Sequence, residues 1–206
     1  MDNIQKGIIT LIKSAVLRKA LELPADFCLD AAMEQIRRHS LDTLAYDGAV
    51  RCGVNKAGSA MKKLFLCYIR AMQVSEGQVG QVHRLCQAFD TNGIDYMPLK
   101  GVNMKQLYHA PELRVMGDAD ILIRMEQYES IRAILLEMGY EESQVRSDHE
   151  LIWNHPALHL ELHKRIVPSH NEDYYAYFGD GWDFAVQCDG SRYSMRPEDE
   201  YIYELS

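Results

Sequence analysis

Apolar residues recur along the first ninety positions at helical spacing, and further along the chain that spacing gives way repeatedly to the two-residue alternation of strands. Ile4, Ile8, Leu11, Ile12, Ala15 and Ala20 fall near the 3.6-residue period and predict a helix ended by Pro24. A second helix is predicted over residues 25–38, and Asp42 stands where it would cap a short third. From residue 56 to 89 the pattern is continuous. Met61, Leu64, Phe65, Tyr68, Met72, Val79, Val82, Leu85, Cys86 and Phe89 predict one long helix, with Gly77 or Gly80 as places for a break and Thr91-Asn92-Gly93 as its stop. The methionines and aromatics of this stretch read as core packing.

The stretch 96–123, YMPLKGVNMKQLYHAPELRVMGDADILI, changes the pattern. It runs apolar into Leu99, breaks at Lys100-Gly101, resumes helical spacing from Val102 to Tyr108, and passes through a polar loop with Pro111 and Arg114 to Gly117. Asp118 and Asp120 then open a second apolar run. The prediction is strand, glycine turn, short helix, loop, strand. Beyond it, residues 126–138 predict a helix stopped by Gly139, and the segments from 139 and from 150 read as extended. In ALHLELHKRI, Leu158, Leu160 and Leu162 alternate with His159, Glu161 and His163, the period of a strand with one buried and one polar face. Pro197 with Glu198 and Asp199 reads as the first turn of a closing helix, continued by Tyr201, Ile202 and Leu205.

Composition bounds the reading. A chain of 206 residues with 47% hydrophobic content can bury a sizeable core as one or two units. No apolar run is long enough to span a bilayer, and lysine and arginine interrupt the apolar positions of the N-terminal segment, unlike a signal peptide, so the expectation is a cytoplasmic chain with no membrane partner. Five cysteines, Cys28, Cys52, Cys67, Cys86 and Cys188, are widely spread without a C-x-x-C pair and read as reduced thiols. A net charge of −8 disfavours a nucleic-acid substrate on average, though a local basic face would still admit one.

The chemistry concentrates at Asp118 and Asp120. Alternation along a strand puts both on one face, where two carboxylates repel unless a cation sits between them. Hard oxygen ligands favour magnesium over zinc. At Gly101 the chain passes from strand to helix, so backbone N–H groups stand ready for a phosphate, with Lys100 beside them. Arg114 offers a guanidinium fork of the shape that matches phosphate oxygens. Metal carboxylates beside a phosphate cradle are parts of a phosphoryl or nucleotidyl transfer site. The alternating face of His159, Glu161 and His163 leaves three readings open: a metal role for Glu161 with bystander histidines, a solvated face, or a separate zinc site. Ligands two residues apart on a strand lie about 6 to 7 Å apart, which is long for one small ion. His149 and His155 carry no signal beyond surface or turn roles. The aromatic and acidic segment 170–183 reads equally as a stacking platform or as a loop with its own apolar cluster.

On the L-K-G of Leu99, Lys100 and Gly101, followed by Arg114, Met116, Gly117, Asp118, Asp120, Ile121 and Leu122 in R-x-M-G-D-x-D-h-L order, the chain resembles the nucleotidyltransferases of DNA polymerase beta type. Within them it is similar to a poorly characterised branch whose signature begins L-K-G, and the likeness covers roughly residues 94–166. Where the wider superfamily carries glycine-serine at the turn, this chain has Lys100-Gly101, as the branch does.

The resemblance implies a third carboxylate on the strand beside the D-x-D strand, and Glu161 is the candidate. It implies catalytic and metal-ligand roles for Asp118, Asp120 and Glu161, two magnesium ions, and nucleotide or phosphate contacts from Lys100, Gly101, Arg114 and Gly117. The expected reaction moves a nucleoside monophosphate from a nucleoside triphosphate to an unknown acceptor, a small molecule, protein or RNA, and releases pyrophosphate. A non-catalytic nucleotide- or protein-binding module and a phosphotransferase are the alternatives. The predicted architecture is α+β: an N-terminal helical bundle over residues 1–92 packed on a small mixed-sheet nucleotidyltransferase-like core over residues 93–206. In the resembling family the closing helix leads into a further helical region, which leaves a fragment and a short member as two readings.

Overall fold

The computed structural model describes residues 2–145 and 147–205. Their elements are α1 (Asn3–Leu17), α2 (Leu29–Arg38), α3 (Asp42–Arg51), α4 (Ser59–Thr91), β1 (Tyr96–Pro98), α5 (Lys100–Gln106), β2 (Ala119–Ile123), α6 (Tyr128–Glu137), β3 (Glu141–Glu142), β4 (Glu150–His155), β5 (Leu158–His163), α7 (Glu172–Phe178), β6 (Ala185–Asp189), β7 (Arg192–Met195) and α8 (Pro197–Leu205), with short 3-10 turns between some of them. The class is α+β, with a seven-stranded mixed sheet. The chain divides into two compact units, residues 1–76 with 105–115, and residues 77–104 with 116–206.

The first unit is helical. Asp2 caps α1 by accepting from the Gln5 backbone N–H at 2.7 Å while the Gln5 side chain accepts from the Asp2 N–H, which satisfies two of the orphan donors at the helix start. The helix ends earlier than Pro24, at Arg18, which takes the left-handed conformation with φ 56°. Ile8, Leu11, Ile36, Ala45, Ala49, Met61 and Leu64 form its core. α1 and α3 lie so close that a Cβ at Gly48 would overlap the Leu11 carbonyl. Along α4, which continues unbroken through Gly77 and Gly80, the structure buries Met61, Leu64, Leu85 and Phe89 but leaves Phe65, Met72 and Val79 exposed. The helical period admits several stripes on a helix this long, and only packing chooses among them.

The second unit carries the sheet, in the order β3-β4-β5-β2-β1-β7-β6. β2 runs parallel to β5 and antiparallel to β1, and β4 is antiparallel to β5. Alternation sorts the side chains of the central strands between two cores. Ala119, Ile121 and Ile123 of β2 and Leu158, Leu160 and Leu162 of β5 pack with Leu85, Phe89, Ile131 and Leu135 from α4 and α6. Leu122 turns the other way, into a cluster with Met97, Leu99, Phe178, Met195 and Tyr203. A one-residue slip of β5 would exchange three leucines for His159, Glu161 and His163 in the first core, so burial fixes the register. The aromatic segment 170–183 forms α7 and a 3-10 turn, and Phe178 stacks edge-on near Phe184 and Tyr203 as part of the second cluster. The closing helix buries Tyr203 and leaves Tyr201, Ile202 and Leu205 exposed, the reverse of the face its apolar residues suggested.

Candidate active site

The register of β2 against β5 sets the site. Asp120 pairs with Glu161, and because paired residues project to the same face, the two carboxylates stand side by side on the face away from the leucine core. Asp118 lies just ahead of β2, half-buried. Burial, followed by the negative charges of Asp120 and Glu161, pushes its carboxyl above the usual carboxylate range, which places all three acids within electrostatic reach of one another.

The L-K-G turn is tied to this pair by backbone contacts. The Leu99 N–H donates to the Asp120 carbonyl at 2.9 Å. Gly101 is buried against Asp118, and a Cβ there would meet the Asp118 carbonyl oxygen at 3.3 Å and Met116 Cγ at 3.4 Å. The glycine is therefore explained by the close approach of α5 to the D-x-D segment, whatever else its N–H does. Asn103 fixes the start of α5 by donating to the Pro98 carbonyl and to Glu200 of α8, at 2.8 and 2.9 Å. Lys100 places Nζ 4.4 Å from the centre of the Tyr203 ring. Burial, then the charge of Asp120, raises the Tyr203 phenol, so α8 contributes a side chain near the acids that the sequence did not single out. Gly117 has ordinary backbone angles and open space where a Cβ would stand, and no structural demand explains it. Arg114 falls in the first unit, where Nη1 donates to the Val115 carbonyl at 3.3 Å and Nε is buried.

His163 is the residue the sequence reading undervalued. Far from standing on a solvated face, it is 7% exposed. Its Nε2 lies 3.3 Å from Asp120 Oδ1 and 3.8 Å from Glu161 Oε2. Burial alone would lower its pKa, but the hydrogen bonds to Asp120 and Glu161 and the charges of Asp120 and Glu150 outweigh it and raise it to about 9. An imidazole of raised pKa thus stands against the carboxylates. The signal for it was the alternation in β5; what the sequence could not give was that Asp120 of β2 and Glu150 of β4 stand beside the ring. His159 lies 3.7 Å from Glu161 but does not join the cluster that Asp120, Glu161 and His163 form, so the three alternating residues of β5 are not one metal site among the described residues.

The donor set fits a divalent cation. One oxygen each from Asp120 and Glu161 and one nitrogen from His163 lie within 4.8 Å of one another. The surplus negative charge that raises Asp118 is what a bound cation would relieve. An imidazole beside the oxygens qualifies the expectation of an oxygen-only set, because it adds a ligand type that suits transition metals as well as a charge that competes with them.

Comparison with known proteins places the chain in a family. The chain belongs to an uncharacterised nucleotidyltransferase family, whose model matches residues 26–205. No curated protein matches it. Among solved structures it is similar to a crystal structure of ANT(2")-Ia in complex with adenylyl-2"-tobramycin, at 16% identity and a TM-score of 0.37, over 41% of this chain and 48% of that one. The match spans about half the length of that protein's chain.

Proposed function

We propose that the chain transfers a nucleoside monophosphate from a nucleoside triphosphate to an acceptor oxygen and releases pyrophosphate, using two magnesium ions held by Asp118, Asp120 and Glu161. The observation that supports this reading best is the β2–β5 register, which brings Asp120 and Glu161 together on one face beside Asp118. When bound, divalent ions supply charge neutralisation on the triphosphate and lower the pKa of the acceptor hydroxyl.

The chain's own residues do the rest. The three carboxylates orient the reactants, and one of them takes up the single proton that the acceptor gives up. The new bond joins the acceptor oxygen to the α-phosphorus, and the bond from the α-phosphorus to the oxygen bridging to the β-phosphate breaks, so that pyrophosphate leaves with that oxygen. Lys100, at the start of α5, offers its ammonium to the leaving phosphates by giving up its place over the Tyr203 ring. Gly101 keeps α5 close enough to Asp118 for the turn and the acids to act on one ligand.

The test is incubation of the purified chain with magnesium, cell extract as a source of acceptor, and each nucleoside triphosphate labelled either at the α- or at the γ-phosphate. Label carried to an acceptor from the α position, with unlabelled pyrophosphate as the other product, is the expected result. Transfer of the γ label with formation of a nucleoside diphosphate would make the chain a phosphotransferase instead.

A further inference from the structure

A second group of potential ligands lies one strand over from the acids. β4 pairs with β5 so that Glu150 stands opposite His163, and His149 precedes Glu150. One donor atom each from His149, Glu150 and His163 lies within 4.8 Å of the others. Two imidazoles with one carboxylate form a ligand set suited to zinc, cobalt or nickel, rather than magnesium, which prefers oxygen.

The distances and the outer contacts both point to a metal. An ion in tetrahedral coordination with bonds of about 2.0 to 2.1 Å holds its donor atoms about 3.3 Å apart. His149 Nε2 and Glu150 Oε2 stand 3.2 Å apart. His149 Nδ1 faces the Asp148 carboxylate at 2.9 Å and the Ser147 hydroxyl at 3.1 Å. With its proton on Nδ1, donated to Asp148, the ring presents the Nε2 lone pair to Glu150. His163 repeats the arrangement, since its Nε2 is directed at Asp120. Its other nitrogen, Nδ1, is buried without a hydrogen-bond partner among the described residues, in a side chain only 9% exposed. A buried ring nitrogen left unpaired costs free energy that a ligand would recover. Each histidine thus has a carboxylate behind it, the outer-sphere arrangement that fixes the tautomer of a metal-bound imidazole.

We propose that His149, Glu150 and His163 form a second divalent-metal site, of the zinc and cobalt class, at the start of β4 and the end of β5, with Asp148 and Asp120 as the carboxylates that orient the two imidazoles. The site adjoins the centre formed by Asp118, Asp120 and Glu161 and shares β5 and the Asp120 carboxylate with it. An ion there ties β4 to β5 and holds the His163 ring beside Asp120. Three protein ligands leave a fourth position for water.

Cobalt binding tests this without any activity readout. The full chain is stripped with a chelator and titrated with cobalt, and both bound metal and visible absorption are recorded. The parent should bind cobalt with the absorption of an imidazole-ligated ion, and Asp118→Asn should leave that absorption in place. His149→Gln should lose it together with one equivalent of tightly bound metal. Asp148→Asn keeps all three ligands and alters only an exposed acid, so it should fold and weaken cobalt binding about 10- to 100-fold. Unchanged cobalt stoichiometry and spectrum in folded His149→Gln would overturn the proposal. If that variant does not fold, unchanged cobalt affinity in Asp148→Asn overturns it equally. Zinc should displace the cobalt, and magnesium should not. Failure of the nucleotidyl-transfer reading would appear separately, as triphosphate binding that ignores Asp118→Asn.

Discussion

His163 Nε2 stands 3.3 Å from Asp120 Oδ1, a buried histidine ring lodged against the inner member of the D-x-D pair. The outer member, Asp118, instead has its carboxyl pushed up by burial and by the charges of Asp120 and Glu161. The two aspartates are two residues apart in sequence, and only Asp120 has the His163 ring against it.

That contrast predicts different responses to neutralisation. In metal-free protein, Asp118→Asn removes a charge the fold holds at a cost, so urea unfolding should show stability equal to or above the parent. Asp120→Asn removes the carboxylate partner of the buried His163 ring and should cost about 1 to 3 kcal/mol. Both should weaken binding of magnesium triphosphate about tenfold or more in calorimetry, since each withdraws a formal negative charge from the cation site. Parent-like triphosphate affinity in both variants would remove them from the ligand set.

The raised pKa of His163 makes metal-free stability depend on pH in a definite direction. Its folded value, about 9, lies above the ordinary 6.5, so its contribution is complete below pH 6.5 and is lost as pH rises through 9. Unfolding measured in chelator should show stability falling across that window, by at most about 1.4 kcal/mol per pH unit from this one group. His163→Gln should flatten the fall. An equal slope in parent and variant would show that other groups set it.

Gly101→Val forces a side chain against the Asp118 carbonyl and Met116, so it should displace the D-x-D segment and weaken triphosphate binding more than it weakens folding. The melting temperature and the calorimetric affinity of the same sample decide this; loss of both in proportion would make the glycine a packing residue only. Lys100→Ala should lower affinity for triphosphate while sparing the free nucleoside, measured at low ionic strength where a charge contact is least screened. The same pair of ligands on Arg114→Ala tests the phosphate contact expected of that guanidinium. Equal triphosphate affinity before and after either change would leave that residue outside the binding site.

Much of the sheet was legible because its signals are local. The alternation of Leu158, Leu160 and Leu162 with His159, Glu161 and His163 predicted β5 and its buried face, and the L-K-G and D-x-D segments predicted the strand ends that Leu99 and Asp120 join by a backbone hydrogen bond. The burial of His163 was not legible, because it depends on neighbouring strands whose order no single segment encodes. The place of Glu150 beside His163 was not legible for the same reason: only the β4–β5 register sets the two opposite each other. Tyr203 was hidden by its neighbours. Tyr201, Ile202 and Leu205 gave α8 its apolar pattern, yet the tertiary packing turned Tyr203 inward toward Phe178 and Lys100. Among the described residues no helix is long and apolar enough to cross a membrane, and all five cysteines are free thiols.

The central claim is that Asp118, just ahead of β2, Asp120 of β2 and Glu161 of β5 form one centre for nucleotidyl transfer, and Glu161 is the member on which it turns, since it comes from a different strand. The most direct measurement is transfer of α-phosphate label by parent and Glu161→Gln under the same conditions, with circular dichroism confirming that the variant is folded. The account predicts that transfer and pyrophosphate release in the parent fall together in the variant, about a hundredfold or more if Glu161 holds a metal used in the transition state. Transfer by folded Glu161→Gln at the parent's rate would contradict it.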